Sequence, residues 1–378
     1  MRRSPLAVFV VASGLLAAAC GGGSKTAATT AATDAPTTTT RSTSTTTTTT
    51  VGSTTSTVPT SPTYIGAGLD PLTGRPDAEA SVLNRPALVV KINNHPLAWP
   101  QTGLNQADIV FEELVEGISR FAFVFHSQDS SPVGSIRSAR TSDINIMALL
   151  GRPLLAWSGG NPGVVNAVRN ANLVDIGYSF HSVDGGYFRS TDRQPPHNLF
   201  ADTVKLFALA QPNQGPPPAV FTFRAATDTL PATAKPVTGV KVTFDGIQAQ
   251  FVWDTVSSTW QRSQSLAGGT QKPHVDIKAV QVAPQNVVVM FCQYRPSPAD
   301  PKSPEAQTTG TGDVWVFTGG QLIEGTWSRA TVKDPLTLTD SAGAPIKLTP
   351  GQTWVELPKA GKGVQIPAGT DPATVKFP

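Results

Sequence analysis

Residues 87–125, ALVVKINNHPLAWPQTGLNQADIVFEELVEGISRFAFVF, hold three short apolar runs, at Ala87 to Ile92, Ile109 to Val115 and Phe121 to Phe125. Runs of this length, rich in Val, Ile and Phe and bounded by Asn, Pro and Gly, are typical of buried strands. A fourth run covers Leu154 to Trp157. Helix-like segments alternate with these runs, at Ser142 to Leu150, Pro162 to Asn170 and Thr203 to Leu209. The alternation predicts an α/β domain over residues 64–211.

A run rich in Pro and Gly, Gln211 to Pro218, predicts a domain boundary. Beyond it the helix-like segments end, which predicts a mainly-β C-terminal domain over residues 219–378. The Thr318-Gly319-Gly320 turn predicts a hairpin between its flanking runs. The strand-like runs are Val220 to Phe223, Val240 to Phe244, Gln250 to Asp254, Thr259 to Ser263, Val287 to Tyr294, Val314 to Thr318 and Gly325 to Arg329.

The tryptophans and the cysteine of the C-terminal region are expected to serve packing. A sugar-binding platform is the alternative for the tryptophans, but several Trp in a small β domain more often form its core. Cys292 lies in an apolar run and is expected to be a buried, small hydrophobic side chain. Four of the five tryptophans of this region are expected in its core or on one face: Trp253, Trp260, Trp315 and Trp327.

The N-terminal residues indicate a lipoprotein. Residues 1–19 combine Arg2 and Arg3 with a short apolar stretch, and small residues precede Cys20, as in a lipoprotein signal peptide with lipidation at Cys20. An ordinary secretion signal is the alternative. Residues 20–63 are mostly Thr, Ser, Ala and Pro, which predicts a disordered linker after the lipidated cysteine. We therefore expect a protein anchored by lipid at the outer face of the cytoplasmic membrane, in the cell envelope.

The charge balance argues against nucleic acid as a partner. The chain has 29 basic side chains, and removing Arg2 and Arg3 with the signal leaves 27 against 26 acidic ones. A nearly neutral chain without a basic stripe lacks the electrostatic footprint of nucleic-acid binding. The expected partners are the membrane, through the anchor, and a cell-wall precursor or envelope protein. No cofactor and no metal site are predicted.

Polar residues that could bind a ligand lie in the N-terminal region. Two arginines and several hydroxyls precede a helix at residues 134–143, and arginine forks suit carboxylate or phosphate. Thr141 or Ser142 is expected to cap that helix, and Glu112 and Glu116 are expected on one face of their strand. The alternative is that Arg137 and Arg140 pair internally with carboxylates. The candidate ligand-binding residues are Glu112, Glu116, Arg120, Arg137, Arg140, Asp143, Ser158, Gly159, Gly160, Asn161, His197 and Asn198.

Other motifs give no reaction. The Ser158–Asn161 turn could present backbone N–H groups to an anion or could be a plain helix cap. His197 could be a general base or a ligand, although a lone His is more often structural. The standard hydrolase and nucleotide-binding motifs are absent from the sequence, so catalytic residues are unknown and enzymatic activity is left open.

Several motifs resemble those of the YerB-like lipoproteins, a family whose two domains are classed as of unknown function. The resemblance covers nearly all of residues 70–358. It implies a lipid-anchored protein with two domains and gives no reaction. The motifs are Asn84 to Pro96, Pro100 to Leu104, Ala107 to Glu112, Glu116 to Phe121, Arg137 to Arg140, Pro196 to Leu199, Lys272 to His274, Gly310 to Gly312, Glu324 to Trp327 and Pro350 to Trp354.

Three functions are compatible with these features. The first is an envelope protein that binds an anionic ligand or partner through the Arg-rich site. The second is a cell-wall enzyme, either a phosphotransferase or a hydrolase of glycan or phosphodiester bonds. The third is a structural partner of a wall-synthesis complex. Arginines without an evident nucleophile favour the first.

Overall fold

The computed structural model describes residues 68–76 and 79–378. The predictions for the signal peptide, for Cys20 and for the Thr-rich linker fall outside these residues. Within the described part, the α-helices are α1 Ala80–Leu83, α2 Thr141–Met147, α3 Pro162–Arg169, α4 Tyr178–His181 and α5 Thr203–Phe207. Single 3-10 turns are at Pro96–Ala98, Ala148–Leu150 and Pro372–Thr374.

The fold consists mostly of strands, with few helices. In the first half the strands are β1 Leu88–Asn93, β2 Ile109–Leu114, β3 Ser119–Phe125, β4 Val133–Gly134, β5 Leu154–Ala156, β6 Val174–Asp175, β7 Phe188–Arg189 and β8 Leu199–Ala201. They are followed by β9 Thr222–Phe223, β10 Lys235–Phe244, β11 Ile247–Asp254, β12 Thr259–Leu266, β13 Lys272–Pro273, β14 Asn286–Met290 and β15 Gln293–Ser297. The last are β16 Asp300–Gln307, β17 Gly310–Thr318, β18 Gln321–Arg329, β19 Thr337–Asp340, β20 Lys347–Leu348, β21 Thr353–Leu357 and β22 Gly363–Pro367.

One large mixed sheet organises the described chain, in the order β13-β12-β11-β10-β18-β17-β14-β21-β2-β3-β1-β5-β6. Strand β21 is central because it pairs in parallel with β2 on one side and with β14 on the other. Strand β1 also pairs in parallel with β5. Strands from both sides of Gln211 to Pro218 thus lie in the same sheet, and a boundary between separate domains at this run stays a prediction.

Side chains on both faces of the sheet are buried, which explains why the central strands read as continuous apolar runs. We call one side the Glu112 face, where Val110, Phe121 and Trp354 pack together. The other is the Glu113 face, with Phe111 and Val124. Helices α2 and α3 contribute buried side chains to the Glu113 face, and α5 contributes to the Glu112 face.

Local sequence signals explain several element ends. Helix α3 begins at Pro162, after Asn161 accepts a hydrogen bond from Val164 N at 2.9 Å. Asp202 caps α5 in the same way. The hairpin predicted at Thr318-Gly319-Gly320 is confirmed, since Thr318 pairs with Gln321 and both glycines have positive φ angles of 57° and 76°.

The prediction for the cap of helix α2 is wrong. The helix cap expected at Thr141 or Ser142 is instead Arg140, whose backbone N–H donates to Asp143 Oδ2 at 2.7 Å. Both hydroxyls are occupied elsewhere, with Ser297 and with the backbone N–H of Ala306.

The prediction of one strand at Val287 to Tyr294 is also wrong, because this run contains parts of two strands. Strand β14 belongs to the large sheet, while β15 pairs with β16 in a separate hairpin. Between the two strands, the Cys292 N–H donates to Pro358 O at 2.9 Å.

The packing roles expected of Trp and Cys are confirmed. Trp260 and Trp327 are almost fully buried, and Trp253 and Trp315 pack against the core. Burial also raises the pKa of the Cys292 thiol to about 12, so the thiolate that a nucleophile requires is disfavoured. Among residues 68–76 and 79–378, no helix is both long and apolar enough to cross a membrane.

Candidate site: an arginine cluster at the strand ends

Three arginines, Arg120, Arg137 and Arg140, form what we call the arginine cluster. Arg120 is the register partner of Asn93 at the carboxyl end of β1. The segment with Arg137 is held against β1 by the hydrogen bond from Arg137 N to Lys91 O at 2.8 Å. The cluster therefore lies where parallel strands end, which is the usual position of ligand sites in open α/β sheets.

The turn after β5 lies beside the cluster. Ser158 N donates to Arg137 O at 3.1 Å, and Ala139 N donates to Gly159 O at 3.3 Å. Gly159 has a φ of 111°, a conformation that suits glycine. The structure thus brings Ser158, Gly159 and Gly160 to the arginine segment, as expected from the sequence, while the Asn161 side chain is used to cap α3.

Arg140 has an acidic partner in the cluster. Its guanidinium contacts both Glu116 oxygens, with Nε to Oε1 at 2.7 Å and Nη2 to Oε2 at 2.6 Å. Burial raises the pKa of Glu116, but the hydrogen bonds from Arg140 and Ser303 outweigh it and hold that pKa at about 2. The pair is open to solvent, since the Glu116 side chain is 38% exposed.

Arg120 is buried and only partly satisfied. Its Nη1 donates to Ser138 O at 2.9 Å, while its Nε has no hydrogen-bond partner in the described structure. Burial, followed by the charge of Arg140, lowers the pKa of Arg120 to about 10, and Arg137 adds to the effect. The three cations thus act on one another electrostatically.

Arg137 is the least satisfied member. Its guanidinium makes no hydrogen bond or ion pair with the described residues, although the residue is half-buried. Partial burial and the charge of Arg140 lower its pKa. A half-buried cation beside two others, with one shared carboxylate, leaves donors free for an added anion.

Two histidines extend the site. The rings of His95 and His197 stack with centroids 4.6 Å apart. Asn93 Oδ1 accepts from His95 N at 3.1 Å, so the Asn93 amide nitrogen faces His197 Nδ1 at 2.7 Å and donates to it. Partial burial, then the charges of His95, Arg137 and Arg193, lower the pKa of His197. A neutral His197 whose Nδ1 accepts carries its proton on Nε2.

Asp143 and Glu113 form a buried group next to the cluster. Lys91 Nζ donates to Glu113 and, at 2.7 Å, to Asp143, and all three side chains are almost fully buried. Burial raises the pKa of Glu113 to about 7, with the charge of Asp143 acting in the same direction. Asp143 is therefore bound internally and is not free for a ligand.

Glu112 lies on the opposite face of the sheet from Glu113, in what we call the Glu112 network. Arg262 Nη2 donates to Glu112 Oε2 at 2.6 Å, and Asn94 Nδ2 donates to Oε1 at 3.2 Å. Ser119 also donates to Glu112, and neither Glu112 nor Arg262 is exposed. The acid is fully engaged and separated from the arginine cluster by the sheet.

Two more titratable groups complete this network. Glu356 is the register partner of Glu112 on β21, and burial followed by the charge of Glu112 raises its pKa well above the usual value. His274 Nδ1 lies 2.5 Å from Arg262 Nη1, and burial followed by the charge of Arg262 holds the pKa of His274 well below its usual value. His274 is therefore neutral at neutral pH, and burial favours the protonated form of Glu356.

Two sequence-based placements change. Glu112 and Glu116 do not share a face, because β2 ends at Leu114 and the chain turns at Gly117, whose φ is 74°. Asn198 is buried, and its side chain joins Arg189 to Ser190 O.

Sequence reasoning missed Lys91, Arg262, His274 and Glu356. Lys91 and Glu356 could have been found, because each is a charged residue inside an otherwise apolar strand and must have a partner if buried. Arg262 gave no comparable signal, because β12 is rich in polar residues, and His274 lies outside the strands. Across residues 68–76 and 79–378, the structure contains no group of three or more His, Cys, Asp or Glu side chains that could hold a metal ion.

The fold and this site define a mixed-sheet protein with free cationic donors at its strand ends. Residues 72–215 match the N-terminal domain, and residues 240–355 the C-terminal domain, of the family described as protein of unknown function DUF3048. The chain belongs to this family, whose members include the YerB-like proteins.

Two comparisons with YerB of Bacillus subtilis agree. YerB of strain 168, whose name provisionally calls it a lipoprotein, is 28% identical over 303 residues, covering 76% of this chain and 85% of YerB. The crystal structure of YerB from B. subtilis matches with a TM-score of 0.65 at 23% identity, covering 79% of this chain and 99% of that one. The structural likeness supports the fold.

Proposed function

We propose that this protein is anchored by lipid in the cell envelope and binds an anionic ligand, or an acidic partner, through the arginine cluster. The observation that carries the proposal is the Arg137 guanidinium, which is half-buried beside Arg120 and Arg140 and has no bonded partner among the described residues. A cation in this position repels its neighbours until an anion binds.

The geometry favours a compact anion with several oxygens. Arg137 offers a planar fork of donors that suits carboxylate and phosphate alike. His197, with Nδ1 accepting from Asn93, adds a neutral Nε2–H donor. The Ser158 hydroxyl makes no hydrogen bond with the described residues and is partly exposed beside Arg137. The proposed site is therefore Arg137, Arg120, His197 and the turn at Ser158, with the Arg140–Glu116 pair at its rim.

Binding of inorganic phosphate and pyrophosphate to the full chain in mild detergent tests the proposal, with calorimetry as the measurement. Arg137→Gln should weaken binding at least about tenfold, the equivalent of about 1.4 kcal/mol. The control is Arg169→Gln, which removes an exposed arginine at the end of α3. Equal affinity of Arg137→Gln and wild type for every anion bound would contradict the proposal.

Lipidation at Cys20 is the proposed means of anchoring, supported by the lipoprotein signal in residues 1–20 and by the family relationship. Cys20→Ala should abolish metabolic labelling by a fatty acid and prevent cleavage by the lipoprotein peptidase. The measurements are fractionation and fatty-acid labelling of the wild type and of Cys20→Ala in parallel. Retention of both label and cleavage in Cys20→Ala would show that another residue carries the lipid.

A further inference from the structure

A cavity of about 270 Å³ lies at the other end of the strands that carry the arginine cluster. Its lining includes residues just before β2, β14 and β21, for example Ala107, Gln285 and Gln352. These three strands run parallel to β1, so the cavity is at their amino ends and the arginine cluster at the carboxyl ends of β1 and β5. The cavity is therefore a separate place in the fold. We call it the amide pocket.

Amide side chains dominate the lining, and the structure shows which of their atoms are already used. Asn105 Nδ2 donates to Asp276 and Val280 O. Gln281 Nε2 donates to Arg262 O at 2.9 Å. Gln352 Nε2 donates to Leu104 O and Ala107 O. In all three the amide nitrogen is bound to the protein, so the carbonyl oxygen is the atom left to accept a hydrogen bond from a ligand.

Gln285 is oriented the other way. Its Oε1 accepts from Gln352 N at 2.8 Å, which leaves its Nε2 as a donor. These four of the five lining amides thus offer three carbonyl acceptors and, at Gln285, an amide donor. Its apolar lining consists of small aliphatic side chains, without an aromatic ring. Such a wall suits a ligand that is polar over most of its surface.

The pocket is lined by one acid, Asp108, and by one basic residue, Arg75. The Arg75 side chain makes no hydrogen bond with the described residues. The pocket's acid, Asp108, is buried and accepts from Ser127 N at 2.8 Å and from the backbone of His126. Burial, followed by the charge of Asp70, raises the pKa of Asp108 to about 6. The Asp108 carboxylate is thus engaged by backbone N–H donors, and Arg75 is the cation in the pocket lining.

From these atoms we infer that the amide pocket binds a small molecule in which one carboxylate is flanked by N–H or O–H donors. Arg75 and Gln285 Nε2 take the carboxylate, and the oxygens of Asn105, Gln281 and Gln352 take the donors. Two sources have this chemistry: the carboxyl terminus of a short peptide, and a sugar acid. The volume, close to the lower end of the roughly 300–1,000 Å³ typical of small-molecule pockets, limits the ligand to about the size of a dipeptide or monosaccharide.

Calorimetry with the full chain in mild detergent tests the inference with four probes: Ala-Ala, its C-terminal amide, gluconate and glucose. At least one of the two acids should bind in the millimolar range or tighter, and its neutral counterpart should bind at least about tenfold more weakly. Binding by Ala-Ala alone indicates the peptide source, and binding by gluconate alone the sugar acid. Absence of binding by both acids overturns the inference.

Three variants locate the site. Arg75→Gln should weaken binding of the acid at least tenfold, and Ala283→Leu should do the same by filling the cavity. Arg169→Gln is the control, and each variant's melting temperature shows whether it is folded. If Arg137→Gln abolishes binding while Arg75→Gln leaves it intact, the acid occupies the arginine cluster and the amide pocket is not its site. This outcome separates the inference from the proposed function, which concerns phosphate at Arg137.

Discussion

Glu112 and Glu113 are neighbours in β2, yet they belong to two electrostatic regions that differ in their balance of charge. On the Glu112 face, Arg262 pairs with Glu112, while burial favours the protonated form of Glu356 and the neutral form of His274. Around Glu113, at the strand ends, four cations lie near three acidic side chains, and burial raises the pKa of one of these acids, Glu113, to about 7. The cations are Lys91, Arg120, Arg137 and Arg140, and the acids are Glu113, Asp143 and Glu116.

The difference shows where free charge can exist in this fold. A fully buried cation requires compensating partners, because removing it from water costs several kcal/mol. The Glu112–Arg262 pair meets this condition, and we call it closed because neither side chain is exposed. At the strand ends around Glu113, water replaces part of the missing partner, and a cation such as Arg137 can stay unpaired until an anion arrives.

Breaking the closed pair should have the largest effect. Arg262→Gln leaves Glu112 without its cation, and we expect a loss of about 3–5 kcal/mol in the free energy of unfolding. Denaturant melts of the full chain measure it. Adding Glu112→Gln should recover part of the loss, because the uncompensated charge is then gone. A loss below about 1 kcal/mol for Arg262→Gln would mean that the pair is not closed.

A smaller effect is expected from the pH dependence of the Glu113 group. The folded-state pKa of about 7 exceeds the ordinary value of 4.5, so the folded chain binds this proton more tightly than the unfolded chain. The contribution is fully present below pH 4.5 and is lost as pH rises towards 7.

Comparing wild type with Glu113→Gln isolates this effect. Between pH 4.5 and 7 the wild type should lose more stability than the variant, by on the order of 1–3 kcal/mol. Asp108, whose pKa is about 6, contributes the same pH dependence to the wild type and to Glu113→Gln, so its effect cancels in the comparison. Parallel slopes of unfolding free energy against pH would show that Glu113 is ionised in both folded and unfolded states.

The smallest effect should come from the open cluster. Arg137→Gln combined with Arg140→Gln removes an unpaired cation and one partly exposed ion pair, which is worth about 0–1 kcal/mol. The denaturation midpoint should therefore change little, while phosphate binding is lost. A destabilisation comparable to that of Arg262→Gln would place both arginines among the closed pairs and remove the basis for an open site.

Local pattern was enough to find most strands and helices, including the hairpin at Thr318-Gly319-Gly320, because these follow from residues near one another in the chain. The sheet order was not accessible in this way. Strand β21 joins β2 and β14 over long separations, and no local signal specifies that pairing. The same limit applies to the Glu112–Arg262 pair.

For the candidate site, the sequence predicted that the arginines and the turn after β5 act together, and backbone hydrogen bonds join the two segments. It placed Glu112 and Glu116 on one strand face because strand alternation was continued past Leu114, where β2 ends. Asp143 is not available to a ligand, because it is buried and paired with Lys91 of β1. Which of several charges remains unpaired depends on three-dimensional packing, and a sequence pattern does not contain it.

Strand β21 also affects how the chain can fold during its synthesis. The hydrogen bond from Gln352 to Leu104 spans 248 residues, so β2 acquires its parallel neighbour only after nearly the whole chain has been made. Until then the unpaired sides of β2 and β14 expose the kind of edge that recruits strands from other chains. Contacts this distant also slow folding. A chain that stops before Thr353 should therefore aggregate, even though every residue of the arginine cluster is present.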